Sequence, residues 1–292
     1  MKMSCRQVRV PARQSACLQV LPNPLMAILF WPDIYCGTGE KVGEQFKPIS
    51  VKNPADHPWL FKLRCVIDLQ LATISKYLRP AISKIQGSVL DVGAGQSPWR
   101  GWLPQDISYQ GIDIKTADEF GMTKGLPDVV YYDGNLMPFG DASFDNVICV
   151  EVLEHAPDPQ LLLSEISRVL RNNGNIFLTV PWSARRHHIP HDFHRFTRER
   201  LASLFSDNGF SQIEIEERGS DVGVIANKLI MLNIRLLRPK ASVSSIWALT
   251  LGVCCLPVTG IFLASAHVSE YFGFGSREDP LGYFVKAVRV RL

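Results

Sequence analysis

Four apolar runs in the first half of the chain each stop at an acidic residue, and this recurrence limits the fold more than any other feature. Ser88-Val-Leu stops at Asp91, Tyr109-Gln-Gly-Ile at Asp113, Val129-Val-Tyr-Tyr at Asp133, and Phe144-Asp-Asn-Val-Ile-Cys-Val at Glu151. Short apolar runs bounded by turn signals read as buried strands. The first leads into Gly93-Ala-Gly95, where glycine lets the backbone take positive φ and lets a ligand approach with no Cβ in the way. Open α/β sheets bind their ligands at the carboxyl ends of the strands, which is where all four acids fall.

Helical patterns separate these runs. Leu63, Val66, Ile67, Leu71, Ile74, Tyr77 and Leu78 recur at spacings of three and four and predict a helix over residues 61–84, kinked or ended by Pro80. Asp158-Pro159 combines a good N-cap with proline at the first helical position, opening a helix over residues 160–170. Asn172-Asn-Gly174 turns the chain into a fifth strand, Thr197 caps a further helix ending at Gly209, and residues 210–216 alternate as a sixth strand. Residues 282–291 alternate as a seventh. Strands and helices in this rhythm predict an α/β, doubly wound, mostly parallel sheet.

A net charge of +3 on 292 residues is too mild to imply nucleic acid, and no nucleic-acid motif accompanies it. The seven cysteines are scattered, without a C-x-x-C pair, which fits a reduced, cytoplasmic protein. Residues 1–60 read as an irregular leader. Lys2, Arg6, Arg9 and Arg13 precede any acid, but Pro22, Pro24 and Pro32 break up the apolar core that a targeting signal needs.

Taken in order, several pieces resemble the class I S-adenosylmethionine-dependent methyltransferases of the broad type 11 kind. They are Val89-Leu-Asp-Val-Gly-Ala-Gly, Gly111-Ile-Asp-Ile, Asp133-Gly-Asn-Leu-Met-Pro-Phe and Phe144-Asp-Asn-Val-Ile-Cys-Val-Glu-Val-Leu-Glu-His, followed by Glu165-Ile-Ser-Arg-Val-Leu-Arg-Asn-Asn-Gly and Phe177-Leu-Thr-Val-Pro. The resemblance covers about residues 84–217 and the last strand. It implies a Rossmann-like sheet of seven strands with an antiparallel last strand, a helical insert before that strand, and S-adenosyl-L-methionine as cofactor. It further implies that Gly93 and Gly95 pack against the cofactor and that Asp113 accepts from its ribose hydroxyls. Asp133, beside Gly134 and Asn135, would meet the adenine amino group, and Glu151 would lie near the amino-acid end. Asp91 would act through the turn. One departure is that Pro98 and Trp99 follow where the family often has a third glycine.

The loop after the fifth strand, Pro181 to Thr197, is rich in histidine and admits three readings. Metal ligation finds no cysteine and no standard zinc spacing, so no metal is expected. Arg185, Arg186 and Arg195 could face an anion. The third reading is an active-site lid, since loops after parallel strands carry function. His188-x-Pro190-x-Asp192-Phe-x-Arg195-Phe-Thr197 resembles a block of one methyltransferase subgroup often found beside sugar-polymer genes. An Asp192–Arg195 ion pair would fix the loop. Methylating a hydroxyl needs a proton acceptor, and His188 or His191, oriented by Asp192, is the expected base. His155 is expected to be structural.

Residues 221–275 form a hydrophobic insert. Residues 246–266 carry no charge, roughly the ~20 residues of a membrane span, yet a single crossing would strand the last strand. Two helices over residues 222–237 and 245–266, broken near Pro239, would instead make a hairpin that caps substrate, lies at a membrane surface, or packs on the domain. Residues 61–220 and 276–292 would form the methyltransferase domain. The expected function is methyl transfer, preferably to oxygen, on a small-molecule or lipid- or sugar-linked acceptor. A non-catalytic member of the fold and an NAD-dependent oxidoreductase are the alternatives.

Overall fold

The computed structural model describes residues 51, 53–122, 125–238 and 244–290. The irregular leader expected over residues 1–60 falls almost wholly outside them. Seven strands form one sheet: β1 (Ser88–Val92), β2 (Ser108–Ile114), β3 (Val129–Tyr132), β4 (Phe144–Val150), β5 (Leu170–Pro181), β6 (Phe210–Arg218) and β7 (Gly282–Arg289). Their spatial order is β3-β2-β1-β4-β5-β7-β6. The first five pair in parallel, and β7 runs antiparallel between β5 and β6. The expected mostly parallel sheet with an antiparallel last strand is therefore present. β6 has no parallel neighbour, although it points the same way as β5.

Side-chain alternation assigns the two faces. Leu90, Val147, Cys149 and Val285 meet one helical layer, α3 (Pro159–Val169) and α4 (Arg198–Asp207), through Leu163, Ile166, Leu204 and Phe205. Their neighbours Val89, Ile148 and Phe284 meet the other layer through Leu78, Ile82, Trp99 and Trp102. Adjacent strand residues pointing to opposite covered faces explain why these runs are apolar throughout. Asp158 caps α3 by accepting from the amides of Gln160 and Leu161, and Thr197 caps α4 through the Arg200 amide.

The helix expected over residues 61–84 is two helices, α1 (Pro58–Ile67) and α2 (Leu69–Ile82). Asp68 separates them because its carboxylate turns to accept from the Leu71 amide, 3.1 Å away, and so caps α2. Pro80 does not end α2. It sits in the last turn, where it removes one ladder bond and little helix follows.

Between β6 and β7 the chain forms two helices packed on each other, α5 (Asp221–Leu236) and α6 (Ser244–Phe272). Ser220 meets Ser269, and Asn233 meets Thr259 along their seam. The Asp221 amide donates to the Ser276 carbonyl and its carboxylate accepts from the Ser276 amide, tying the base of the hairpin beside the sheet. α6 continues past Ala266 and through Pro257. Its residues Ile246–Phe272 are long and apolar enough to cross a membrane, and only 11% of their most apolar stretch is buried.

Candidate functional site

The acids and glycines at the carboxyl edge are tied together by backbone geometry. Gly93 and Gly95 both have positive φ, +68° and +53°, and a Cβ on Gly93 would stand 2.3 Å from Val152 Cγ2. The turn is held when the amides of Gly93 and Ala94 donate to the Ile112 carbonyl. Asp113 then receives the Gly95 amide on Oδ2 at 2.9 Å and the Ile114 amide on Oδ1 at 2.8 Å. Burial raises the Asp113 pKa, and the two amides oppose that rise. Asp133 is exposed and accepts from the Asn135 amide at 3.0 Å, which lowers its pKa; Gly134, at φ +86°, follows it.

Asp91 points elsewhere. It is 2% exposed and accepts from the Tyr109 hydroxyl at 2.9 Å, and that hydroxyl also contacts Ser97 at 2.9 Å. Burial pushes its carboxyl up to about 7. Its contacts fix the floor of the turn.

Glu151, at φ +53°, is occupied by protein groups. Its Oε1 accepts from Thr179 Oγ1 and from Arg218 Nη2, both at 2.8 Å. Arg218, the last residue of β6, is fully buried and also donates to the carbonyls of Tyr283 and Val180. Burial lowers its pKa and the Glu151 charge opposes that. Sequence reading missed Arg218. An arginine closing a strand looks like a solvated end unless the fold shows β7 inserted beside it.

The histidine loop is clamped over the end of β4. The amides of Phe193 and His194 donate to the Glu154 carbonyl, and Arg195 forms a two-pronged ion pair with Asp192 at 2.6 and 2.8 Å. The histidine held by Asp192 is His187, whose amide donates to Oδ2 at 3.0 Å and whose Nδ1 lies 3.5 Å from the same atom. His191 is instead placed by Glu119, with Nε2 3.1 Å from Oε2. The expected orientation of His191 by Asp192 is thus replaced, because Arg195 and His187 take that carboxylate. Phe120, in the turn after β2, packs its ring 5.8, 5.4 and 5.2 Å from the rings of His155, His188 and His191. His155 stands at the centre of the cluster. Burial drives its pKa down to about 4, so it is neutral near pH 7.

The residues present fit S-adenosylmethionine. Each Asp113 oxygen has about two lone-pair sites and has taken one amide, which leaves acceptor capacity for a diol. Gly95 offers backbone without a Cβ beside it. Asp113, Gly93, Gly95 and the Asp133–Gly134 turn would hold the group. A recess of ≈ 650 Å³ opens at the other edge of the sheet, lined by Lys84, Gly87, Asp145 and Arg171. It lies away from these residues, at the strand ends that such sheets do not use for ligands.

Comparison with known proteins finds methyltransferases. Residues 90–178 match the type 11 methyltransferase-domain family. A ubiquinone biosynthesis O-methyltransferase of Paracidovorax citrulli is 31% identical over 109 residues, 34% of this chain and 46% of that protein. The uncharacterized methyltransferase YcgJ of Bacillus subtilis is 28% identical over 109 residues, 35% of this chain and 43% of that protein. Among solved structures, a putative sarcosine dimethylglycine methyltransferase from Galdieria sulphuraria aligns with 82% of this chain and 90% of its own at 17% identity, with a TM-score of 0.47. Strand order and matched stretch define a class I S-adenosylmethionine-dependent methyltransferase domain. Within that class residues 90–178 are similar to the type 11 kind. The chain spans about half the length of the curated relatives it matches.

Proposed function

We propose that the protein methylates an oxygen of a small-molecule acceptor carried on a lipid or a sugar, using S-adenosyl-L-methionine. The observation that carries this reading is the Asp113 carboxylate, fixed between the Gly95 and Ile114 amides at the carboxyl edge of the sheet. Bound there, the cofactor supplies an electrophilic methyl group on a sulfonium. The protein's own groups orient the reactants and exclude water, which is most of what an in-line displacement needs. His191, which contacts Glu119, or His188, packed on Phe120, would take the proton of an acceptor hydroxyl. Asp192 positions the loop through Arg195 and His187. Similarity to O-methyltransferases of ubiquinone biosynthesis supports oxygen as the methylated atom and a lipid-linked acceptor.

Contact with a membrane surface is supported by α6. Trp247 is 77% exposed and Ile246, Leu251 and Ile261 are also bare, while Arg235 and Arg238 stand exposed at the same end of the hairpin. Apolar side chains flanked by cations suit an anionic lipid interface. Incubating the protein with methyl-labelled S-adenosylmethionine and fractionated lipids and polysaccharide precursors tests the whole reading. Label should enter an organic-soluble or glycan product with the wild type and be lost with Asp113→Ala. Label in no fraction, or equal label with both proteins, would overturn it.

A further inference from the structure

Glu154 is fully buried, and neither of its carboxylate oxygens has a hydrogen-bond partner among the described residues. A buried carboxylate left in this state is costly, so the orphaned oxygens need an account. Two imidazoles stand beside it. His155 Nε2 lies 3.6 Å and His187 Nε2 3.8 Å from Glu154 Oε1, and the two Nε2 atoms are 3.2 Å apart.

The tautomers follow from the other ring nitrogens. His155 Nδ1 is 2.7 Å from the His191 carbonyl and His187 Nδ1 is 3.1 Å from the Arg185 carbonyl. A carbonyl only accepts, so each Nδ1 carries the hydrogen and each Nε2 presents a lone pair. Two lone pairs and a carboxylate oxygen therefore converge on one point. We propose that Glu154, His155 and His187 bind a divalent metal ion of the zinc type.

The dimensions fit. A circle through the three atoms has a radius of about 2.1 Å, and zinc sits ~2.0–2.2 Å from imidazole nitrogen and carboxylate oxygen. Metal-bound histidines commonly donate the second ring N–H to a carbonyl, which fixes the ring, and both do so here. The site is also held from two sides. Glu154 and His155 lie in the one-turn 3-10 helix Leu153–His155 after β4, and His187 comes from the loop after β5. The Phe193 and His194 amides join these two segments by donating to the Glu154 carbonyl. A proton on Glu154 would remove the charge, but the Nε2 lone pairs it would face lie 3.6 and 3.8 Å away, beyond hydrogen-bond reach, and the two lone pairs would still oppose each other.

Two histidines and a glutamate are three ligands, and three-ligand sites of this kind leave a position open for water or substrate. An acceptor hydroxyl bound there would give up its proton more readily, since metal binding lowers the pKa of a bound O–H. That role rests on the methyltransferase reading. Metal binding itself does not.

The test uses the full chain, stripped with a chelator and titrated with Zn²⁺ by calorimetry, with Co²⁺ absorption to identify the ligands. One ion per chain should bind with a nitrogen and oxygen spectrum lacking sulfur charge-transfer bands. His187→Ala and, as a milder change, His187→Gln should each weaken binding well beyond the ~10–100-fold that loss of an outer-shell partner costs. Binding of S-adenosylhomocysteine by these variants would show that they fold, and it reads the cofactor site independently of the metal. Absence of stoichiometric Zn²⁺ binding to a wild type that binds S-adenosylhomocysteine would overturn the proposal. So would equal Zn²⁺ affinity in the His187 variants, or a Co²⁺ spectrum dominated by thiolate.

Discussion

Arg218 Nη2 stands 2.8 Å from Glu151 Oε1, so the end of β6 is joined to the end of β4 across two intervening strands. The guanidinium has no exposure, and its other N–H groups serve the Tyr283 and Val180 carbonyls. It ties the carboxyl edge together where β7 is inserted, pairing with Glu151 at φ +53°.

Breaking a buried pair leaves an uncompensated charge and typically costs ~3–5 kcal/mol. Glu151 keeps some solvent contact, so Arg218→Met should cost about 3 kcal/mol, at the lower end of that range. The urea midpoint measures this. An unchanged midpoint would mean the pair does not hold the edge together.

Asp91 should make stability depend on pH. Its folded carboxyl lies near 7, above the ~3.9 of an unfolded aspartate. The folded state therefore binds the proton more tightly. The stability this contributes is fully present below about pH 4 and is lost as pH rises through 7. Asp91→Asn keeps a carbonyl for Tyr109 and removes the titration. Relative to this variant the wild type should lose on the order of 3–4 kcal/mol between pH 4 and pH 8. Parallel curves for the two proteins would contradict this account of the residue.

The base assignment predicts a kinetic difference. His191→Ala or His188→Ala should lower kcat by ~10²-fold or more, with loss of the acidic limb of the pH–rate profile in the variant lacking the base. Full activity in both would remove these histidines from proton transfer. Glu119→Gln should lower kcat if His191 is the base, because Glu119 is its ring partner.

The hairpin predicts lipid binding. Wild-type protein should co-float with anionic vesicles, and Trp247→Asp should lower the vesicle affinity by about tenfold or more, as ~1.5–3 kcal/mol for one large apolar side chain requires. Equal recovery of both proteins in the soluble fraction would count against the membrane surface.

The sheet was legible because its signals are local. Runs such as Phe144–Val150, covered on both faces, are apolar in sequence and end at turns. The break at Asp68 was missed because the apolar period runs through it, and only the cap to Leu71 reveals it. At the site, Asp113 could be read from its place at a strand end. Arg218 and Glu154 could not, since their importance lies in burial and in partners 67 and 33 residues away, Glu151 and His187 respectively. The same limit explains Asp192. Its neighbour in sequence is His191, but the loop folds so that Arg195 and His187 take its carboxylate.

Cofactor choice tests the central claim most directly. Calorimetric titration of the wild type with S-adenosylhomocysteine and with NAD, repeated with Asp113→Ala, reads it in one experiment. Saturable binding of S-adenosylhomocysteine alone is expected, weakened by about 1.5–3 kcal/mol in the variant, the range for a hydrogen bond to a charged group. Binding of NAD in its place, or an affinity for S-adenosylhomocysteine that Asp113→Ala leaves unchanged, would contradict the account.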